Sequence, residues 1–340
     1  MKINNRRYIG NKTKLLDFIY KTIKEMGFDK NNVFFDVFAG TGVVANFFAE
    51  KGYQTILNDN LYSNKIVYEA FLGKGKIDQE KVCNIIQKFN NLKYDDIPEN
   101  YFSDTYANKY FSFNDSKKIG YIRDSIEEEK NDLTFREYCY LITSLMYATD
   151  KIANTVGHFE SFLNKIPEDK NIEMKELEIN DNVLPAIIYN EDSNKLAKNV
   201  VSDIAYIDPP YNARQYVNFY HVLENLARWN KPIEFEGNSM KFKRKELKSG
   251  YCRRNTARIL FEDLINSLKC KLIVVSYNNT YTAKSTSSNN TIMPDEILSI
   301  LNKKGKVTIK EQDYKSFNAG KTDFKGHKEI LYICEVTNDN

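Results

Sequence analysis

Five short runs rich in β-branched and aromatic residues recur along the chain: VFFDVF (33–38), QTILN (54–58), AIIYN (186–190), DIAYI (203–207) and KLIVVSY (271–277). Helical patterns stand between them, such as KTKLLDFIYKTIKEMG, whose Leu15, Ile19, Ile23 and Met26 share one face and which stops at Gly27. Strand–helix alternation of this kind confines the chain to an α/β doubly wound sheet with core strands. Two further runs, KVTIKEQ (306–312) and EILYICEV (329–336), alternate more strongly. They predict an antiparallel hairpin at the sheet edge, with DYKSFNAGKTDFKGHK as its long loop. The seven runs together predict a mixed seven-stranded sheet ending in a C-terminal antiparallel hairpin.

The interval 61–183 breaks the alternation. It holds no convincing core strand but several helical stretches, among them SKKIGYIRDSIEEE and the apolar FREYCYLITSLMYA. It is too long for a crossover, so the sequence predicts two domains: residues 1–60 with 184–340 form the sheet domain, and 61–183 form an inserted helical lobe. KSTSSNN (284–290) is low-complexity sequence and predicts a mobile loop.

Composition excludes several classes. No apolar h-region follows the basic start MKINNRRY, and no apolar run approaches the roughly 20 residues of a membrane helix, so the sequence reads as cytoplasmic with no membrane partner. The five cysteines and three histidines are scattered, without a Cys-x-x-Cys, which argues against both a metal site and a disulfide framework.

In FFDVFAGTGVVAN, Gly40 and Gly42 directly follow a strand and precede a helix. Glycines there let the backbone approach a ligand and turn helix N–H groups toward it. The second strand ends in NDN, which puts Asp59 where it can accept hydrogen bonds from ribose hydroxyls. By itself this pattern fits a nicotinamide enzyme and a nucleoside-binding transferase equally. A P-loop is excluded, because no Lys-Ser/Thr follows the glycines.

The fourth run leads into Asp208, Pro209, Pro210 and Tyr211. Proline cannot continue a central strand and holds the preceding residue extended, so Asp208 and Tyr211 are expected at a strand tip. In open α/β sheets, ligands bind at such carboxyl-end tips.

Net charge is only +3, but Lys241, Lys243, Arg244, Lys245, Lys248, Arg253, Arg254 and Arg258 stand against the single acid Glu246 within 241–258, a local balance of +7. Such a run suits a phosphate backbone, and equally a solvated face or mobile loop. Arg214, just beyond the Asp208 turn, suits either a nucleic-acid strand or a surface ion pair.

With DVFAGTG, NDN and DPPY in that order, the chain resembles the Dam-like, D12 class of adenine-N6 DNA methyltransferases that use S-adenosyl-L-methionine. RRYIGNKTKLLDFI before the glycine turn, YNEDSN (189–194), YHVLENLARW and the final SYNN strand with its hairpin extend the resemblance over most of residues 6–335. It implies the class I methyltransferase fold. It also implies that Tyr8 and Lys12 line the cofactor and active-site region and that Asp36, Phe38, Gly40 and Gly42 wall the methionine part. Asp59 would hold the ribose, and Asp192 the cofactor's adenine amine. Each of three also has a plainer role open to it: packing for Tyr8, a helix-terminal charge for Lys12, a helix N-cap for Asp192.

On this reading Asp208 and the Pro209 carbonyl accept the two N–H groups of the target adenine amine, and Tyr211 stacks on the base once it is flipped from double-stranded DNA. The basic run and Arg214 become phosphate contacts, and the helical lobe the target reader. A monomer, with a cognate restriction endonuclease acting separately, completes the expectation. The rivals are a cytosine-N4 DNA or RNA adenine methyltransferase, a nicotinamide oxidoreductase with no use for DPPY, and a non-catalytic DNA-binding module.

Overall fold

The structure is a computed structural model that describes residues 1–281, 288–313 and 327–337. Its strands are β1 (Val33–Asp36), β2 (Gln54–Asn58), β3 (Ile187–Tyr189), β4 (Ile204–Ile207), β5 (Phe235–Glu236), β6 (Lys241–Phe242), β7 (Leu272–Asn278), β8 (Gly305–Asp313) and β9 (Lys328–Val336). The chain resolves into two units. The sheet unit takes Ile9–Asn60, Asn182–Tyr216 and Leu247–Asn340, and the helical unit takes Met1–Tyr8, Leu61–Asp181 and Val217–Glu246.

In the sheet unit the strands run in the order β3-β2-β1-β4-β7-β9-β8. The first five pair in parallel, whereas β9 lies antiparallel to both β7 and β8. All seven sequence runs are therefore strands, in a mixed sheet with a terminal antiparallel pair. The hairpin loop at 314–326 and residues 284–287 of the low-complexity stretch fall outside the described residues.

One face of the sheet packs Phe34, Ile204, Tyr206, Leu272 and Val274 against Leu15, which precedes the helix Leu16–Glu25, Ile19 and Ile23 within that helix, and Phe48 of the helix Val43–Glu50. The other face packs Phe35, Ala205, Ile273 and Val275 against Phe261, Leu264 and Ile265 of the helix Arg254–Ser267. Alternate residues of each strand thus serve opposite layers, as a sheet covered on both faces requires. One expected core strand differs: β3 is an edge strand with Ile187 42% exposed, because only β2 flanks it.

The helical unit contains the helices Tyr62–Leu72, Gln79–Asn90, Tyr101–Tyr106, Phe113–Glu128 and Phe135–Ile152. The last is the apolar stretch singled out above. It starts at a capping box in which the Thr134 hydroxyl accepts from the Glu137 amide and the Glu137 carboxylate from the Thr134 amide. This unit is wider than the interval 61–183, since Met1–Tyr8 and Val217–Glu246 join it. Sequence spacing does not carry that information, because both added segments are packed through contacts made far along the chain.

One such contact terminates a helix. Leu61, at the N-cap of Tyr62–Leu72, has no side-chain acceptor to offer. Instead the fully buried Glu224 accepts from the amides of Tyr62 and Ser63, each at 2.9 Å, and from Arg228 Nε at 2.6 Å. A carboxylate there also meets the positive end of the helix dipole. Replacing Glu224 with Ala strands two amides and a guanidinium, and it is expected to lower stability by about 3 kcal/mol. A urea midpoint equal to that of the unsubstituted protein would refute this.

Candidate active site

The order of the parallel strands reverses between β1 and β4, since β2 and β3 extend the sheet to one side of β1 and β7 to the other. At such a switch point the loops leaving adjacent strands diverge and open a crevice at their carboxyl ends. The chain leaves β1 at Asp36 and reaches Gly40 and Gly42, with φ of 54° and 76°. Only glycine takes those values without strain, and the turn they make leaves Gly42 at the N-cap of the helix Val43–Glu50. Asp59, just past β2, accepts from the Gly40 amide at 3.1 Å. Asn58 ties the strand ends together: its Nδ2 donates to the carbonyls of Val37 and Glu191, and its Oδ1 accepts from the Glu191 amide at 3.0 Å. Phe38 meets Tyr251 edge-on at 5.1 Å between ring centroids.

Asp36 is 1% exposed, and neither of its carboxylate oxygens is in hydrogen-bonding geometry with a described donor. Burial first, then the charges of Asp208 and Asp59, push its carboxyl well above the usual range. Burial of this kind favours the neutral acid against the Ala45 backbone amide, which favours the charged form, and a cation bound beside the glycine turn would favour ionisation.

Asp208 follows β4 directly and remains partly accessible, with its side chain 16% exposed. Its Oδ1 lies 3.2 Å from Lys12 Nζ. Lys12 is only 3% exposed and donates at 2.7 Å to Glu329 Oε1, which also accepts from Ser276 Oγ at 2.6 Å. Burial opposes the Lys12 charge, but Asp208 and Glu329 outweigh it and raise the ammonium well above its ordinary range. A single ammonium cannot neutralise two carboxylates. The Asp208 carboxyl is accordingly pushed up to about 7, by burial first and then by Glu329, against the pull of Lys12.

Tyr211 is held from several sides. Its ring meets Tyr277 edge-on at 5.4 Å and lies 5.3 Å from the Lys12 ammonium, while its carbonyl accepts from the Thr291 amide at 2.8 Å. A Cβ placed on Gly10, where φ is +81°, would sit 3.3 Å from the Tyr211 hydroxyl and 3.2 Å from that of Tyr216. The chain before Lys12 can therefore pass close over both rings only as glycine. Beyond the turn, Gln215 clasps the Ser249 backbone, donating to its carbonyl at 2.9 Å and accepting from its amide at 2.7 Å.

A tip bearing Asp-Pro-Pro-Tyr beside a glycine turn is the arrangement that comparison with known proteins puts in context. Residues 8–281 match the family described as D12 class N6 adenine-specific DNA methyltransferase. The chain belongs to that family. It is similar to the modification methylase StsI of Streptococcus sanguinis, 34% identical over 96% of this chain and 51% of that protein. It is also similar to the modification methylase LlaI of Lactococcus lactis subsp. lactis, 31% identical over 96% of this chain and 53% of that protein. The chain thus spans about half the length of these two relatives. With the type II methyltransferase M.NlaIII of Neisseria lactamica, identity is 30% over 97% of this chain and 99% of that protein. Family membership leaves the oxidoreductase reading without support, and the family acts through a methyl donor.

Of the residues that the sequence picked out in this D12-class chain, Lys12, Asp36, Phe38, Gly40, Gly42, Asp59, Asp192 and the 208–211 turn all lie in the sheet unit. Asp192 caps the helix Ser193–Ala197, accepting from the Lys195 amide at 3.0 Å, and its side chain is exposed. Tyr8 lies in the helical unit, stacked on Tyr220 at 4.5 Å with the Arg6 guanidinium 4.8 Å from its ring. The basic run divides at the unit boundary. Lys241, Lys243, Arg244 and Lys245 fall in the helical unit, and Lys248, Arg253, Arg254 and Arg258 in the sheet unit.

Arg244 needs correcting as a phosphate contact. It is 7% exposed, and its guanidinium donates to Asn218 Oδ1, Glu236 Oε2 and the Phe242 carbonyl within the helical unit. Lys243, Lys245, Arg253 and Arg254 are exposed, Lys241 half-buried, and Arg214 is exposed with Nη2 3.1 Å from Ser288 Oγ. The sequence reading missed Glu329 and Ser276. No local pattern marks Glu329, because its partner Lys12 lies 317 residues away.

Gly10→Ala forces a side chain into a left-handed conformation and against two tyrosine hydroxyls. It is expected to cost about 1–2 kcal/mol in thermal or urea unfolding, and unchanged stability would show that the segment is free to shift.

Proposed function

We propose that the protein is a site-specific DNA methyltransferase that transfers a methyl group from S-adenosyl-L-methionine to N6 of adenine in double-stranded DNA, as the modification half of a restriction–modification pair. The observation that carries this reading is the acid-proline-proline-tyrosine tip at the carboxyl end of β4, beside the glycine turn at the carboxyl end of β1. S-adenosylmethionine supplies an electrophilic methyl on a positively charged sulfur. A cation would suit this chain: no described side chain donates to the buried Asp36, and Asp36 lies in the field of Asp208 and Asp59 at one end of the sheet, so a positive charge there would favour its ionisation. Asp59 would hold the ribose hydroxyls, Gly40 and Gly42 the methionine part with Phe38 beside it, and Asp192 the cofactor's adenine amine.

The amine of adenine is a weak nucleophile because its lone pair is delocalised into the ring. Asp208 accepting one N–H and the Pro209 carbonyl the other would let nitrogen pyramidalise and aim its lone pair at the methyl. Pro209 and Pro210 stiffen the turn that aims the carbonyl. Tyr211 offers a face for the flipped base, a contact worth about 1–3 kcal/mol. Lys241, Lys243, Lys245, Arg253, Arg254 and Arg214 would contact phosphate, and the helical unit would read the target sequence.

Labelled S-adenosylmethionine incubated with unmethylated DNA should give N6-methyl-2′-deoxyadenosine among the digested nucleosides. N4-methylcytosine, or no label in DNA, would overturn the assignment. Because Asp208 must be ionised to accept and its carboxyl is pushed up to about 7, the rate should fall as pH drops through about 7. A rate independent of pH from 5 to about 8 would remove Asp208 from this role. Asp59→Ala should weaken cofactor binding in calorimetry, and an unchanged affinity would exclude a ribose contact. Neutralising Arg253 and Arg254 together should reduce the salt slope of DNA binding by roughly one per lost phosphate contact, whereas an unchanged slope would leave them as solvated surface.

A further inference from the structure

Glu329 has no part in the chemistry set out above, yet it is among the most buried acids of the sheet unit, at 1% exposed. It stands near the start of β9, paired in register with Asn278 of β7. One of its oxygens, Oε1, receives both Ser276 Oγ at 2.6 Å and Lys12 Nζ at 2.7 Å. Lys12 reaches Glu329 across 317 residues of sequence and, at 3.2 Å, also reaches Asp208. The ammonium is thus closer to the acid that no substrate would touch. The Ser276 hydroxyl, on β7, donates to the same oxygen of that acid. A scaffold that needed only to bury Lys12 could have paired it with Asp208 alone, at the cost of desolvating two charges and not three.

We infer that Glu329 is a positioning residue for the transfer step, drawing the Lys12 ammonium away from Asp208 and leaving that carboxylate incompletely compensated, so that it takes up the amine proton readily. This rests on the methyltransferase reading. When adenine N6 attacks, the new N–C bond forms as the S–C bond breaks, the sulfur keeps the electron pair, and the nitrogen is left with one proton too many. A carboxylate fully paired to lysine is a poor acceptor for that proton, and one that shares its lysine with a second carboxylate is a better one. The other ionisable groups facing Asp208 are Asp36 from β1, whose own carboxyl burial pushes up toward the neutral form, Tyr206 from β4 and Tyr211 from the turn. His327 lies beyond, in the field of Glu329 and Lys12.

The test reads the Asp208 proton directly in the free protein, by carbon NMR titration of carboxyl-labelled aspartate, with Asp208→Asn identifying the resonance. The conservative variant Glu329→Gln keeps an oxygen for Lys12 but removes the competing charge. It should lower the Asp208 midpoint by about one unit, shift the acid limb of kcat downward by the same amount, and reduce kcat with KM for DNA unchanged. A structural role alone would lower stability and activity without moving either midpoint. Should Glu329→Gln fold poorly, Glu329→Asp, one methylene shorter, retracts the competing carboxylate from Lys12 and must lower the midpoint in the same direction. An Asp208 midpoint that stays or rises in the variant that folds overturns the inference. A midpoint that falls as expected, in a protein that forms no N6-methyladenine at any pH, instead overturns the methyltransferase reading and leaves the charge network standing.

Discussion

The arrangement of the site depends on one topological constraint: β1 and β4 are parallel neighbours from which the sheet grows in opposite directions. The register aligns Asp36 with Tyr206, so the two chain exits stand side by side. The crossovers carry the chain away from this seam on both sides, and the carboxyl ends of β1, β2 and β4 present their loops together. The glycine turn, Asp59 and Asp208 therefore come from three separate stretches of sequence, yet their relative placement is fixed by strand pairing and does not depend on loop conformation. Asn58 strengthens that placement, because its amide bridges backbone groups that strand hydrogen bonds no longer reach.

The second organising feature is electrostatic. Buried acids are tolerated when paired, and the sheet unit pairs them unevenly: Lys12 serves Glu329 and Asp208, while Asp36 meets no cation among the described residues. The helical unit treats its buried charges differently. Glu224 closes a helix N-terminus, and the buried Arg123 donates to the Leu226 carbonyl at 2.8 Å and pairs with Glu127 at 2.9 Å. Those charges have their hydrogen bonds met. The contrast separates groups that hold the structure together from groups left poised for a ligand.

How far the sequence could be read follows the range of the interactions. Strand positions were legible because period and composition are local, and the glycine turn and the acid-proline-proline-tyrosine turn because each needs specific residues at fixed spacing. β3 was misjudged as interior because an apolar run does not say how many neighbours it will have. Arg244 was misread because a run of basic residues looks alike whether its members point to solvent or, as here, into Glu236 and Asn218. Glu329 was invisible for a related reason: its meaning lies in Lys12, at the other end of the chain.

The unpartnered Asp36 bears on how a catalytic cycle would end. With the proposed donor, the sulfur carries a positive charge before transfer and none afterwards. A carboxyl that burial holds toward its neutral form would be drawn to ionise by a sulfonium beside it, and would lose that attraction once the sulfur is neutral. The loss of charge on sulfur would then weaken the grip on the exhausted cofactor in the same event that consumes it, so turnover would be helped by an electrostatic ejection built into β1.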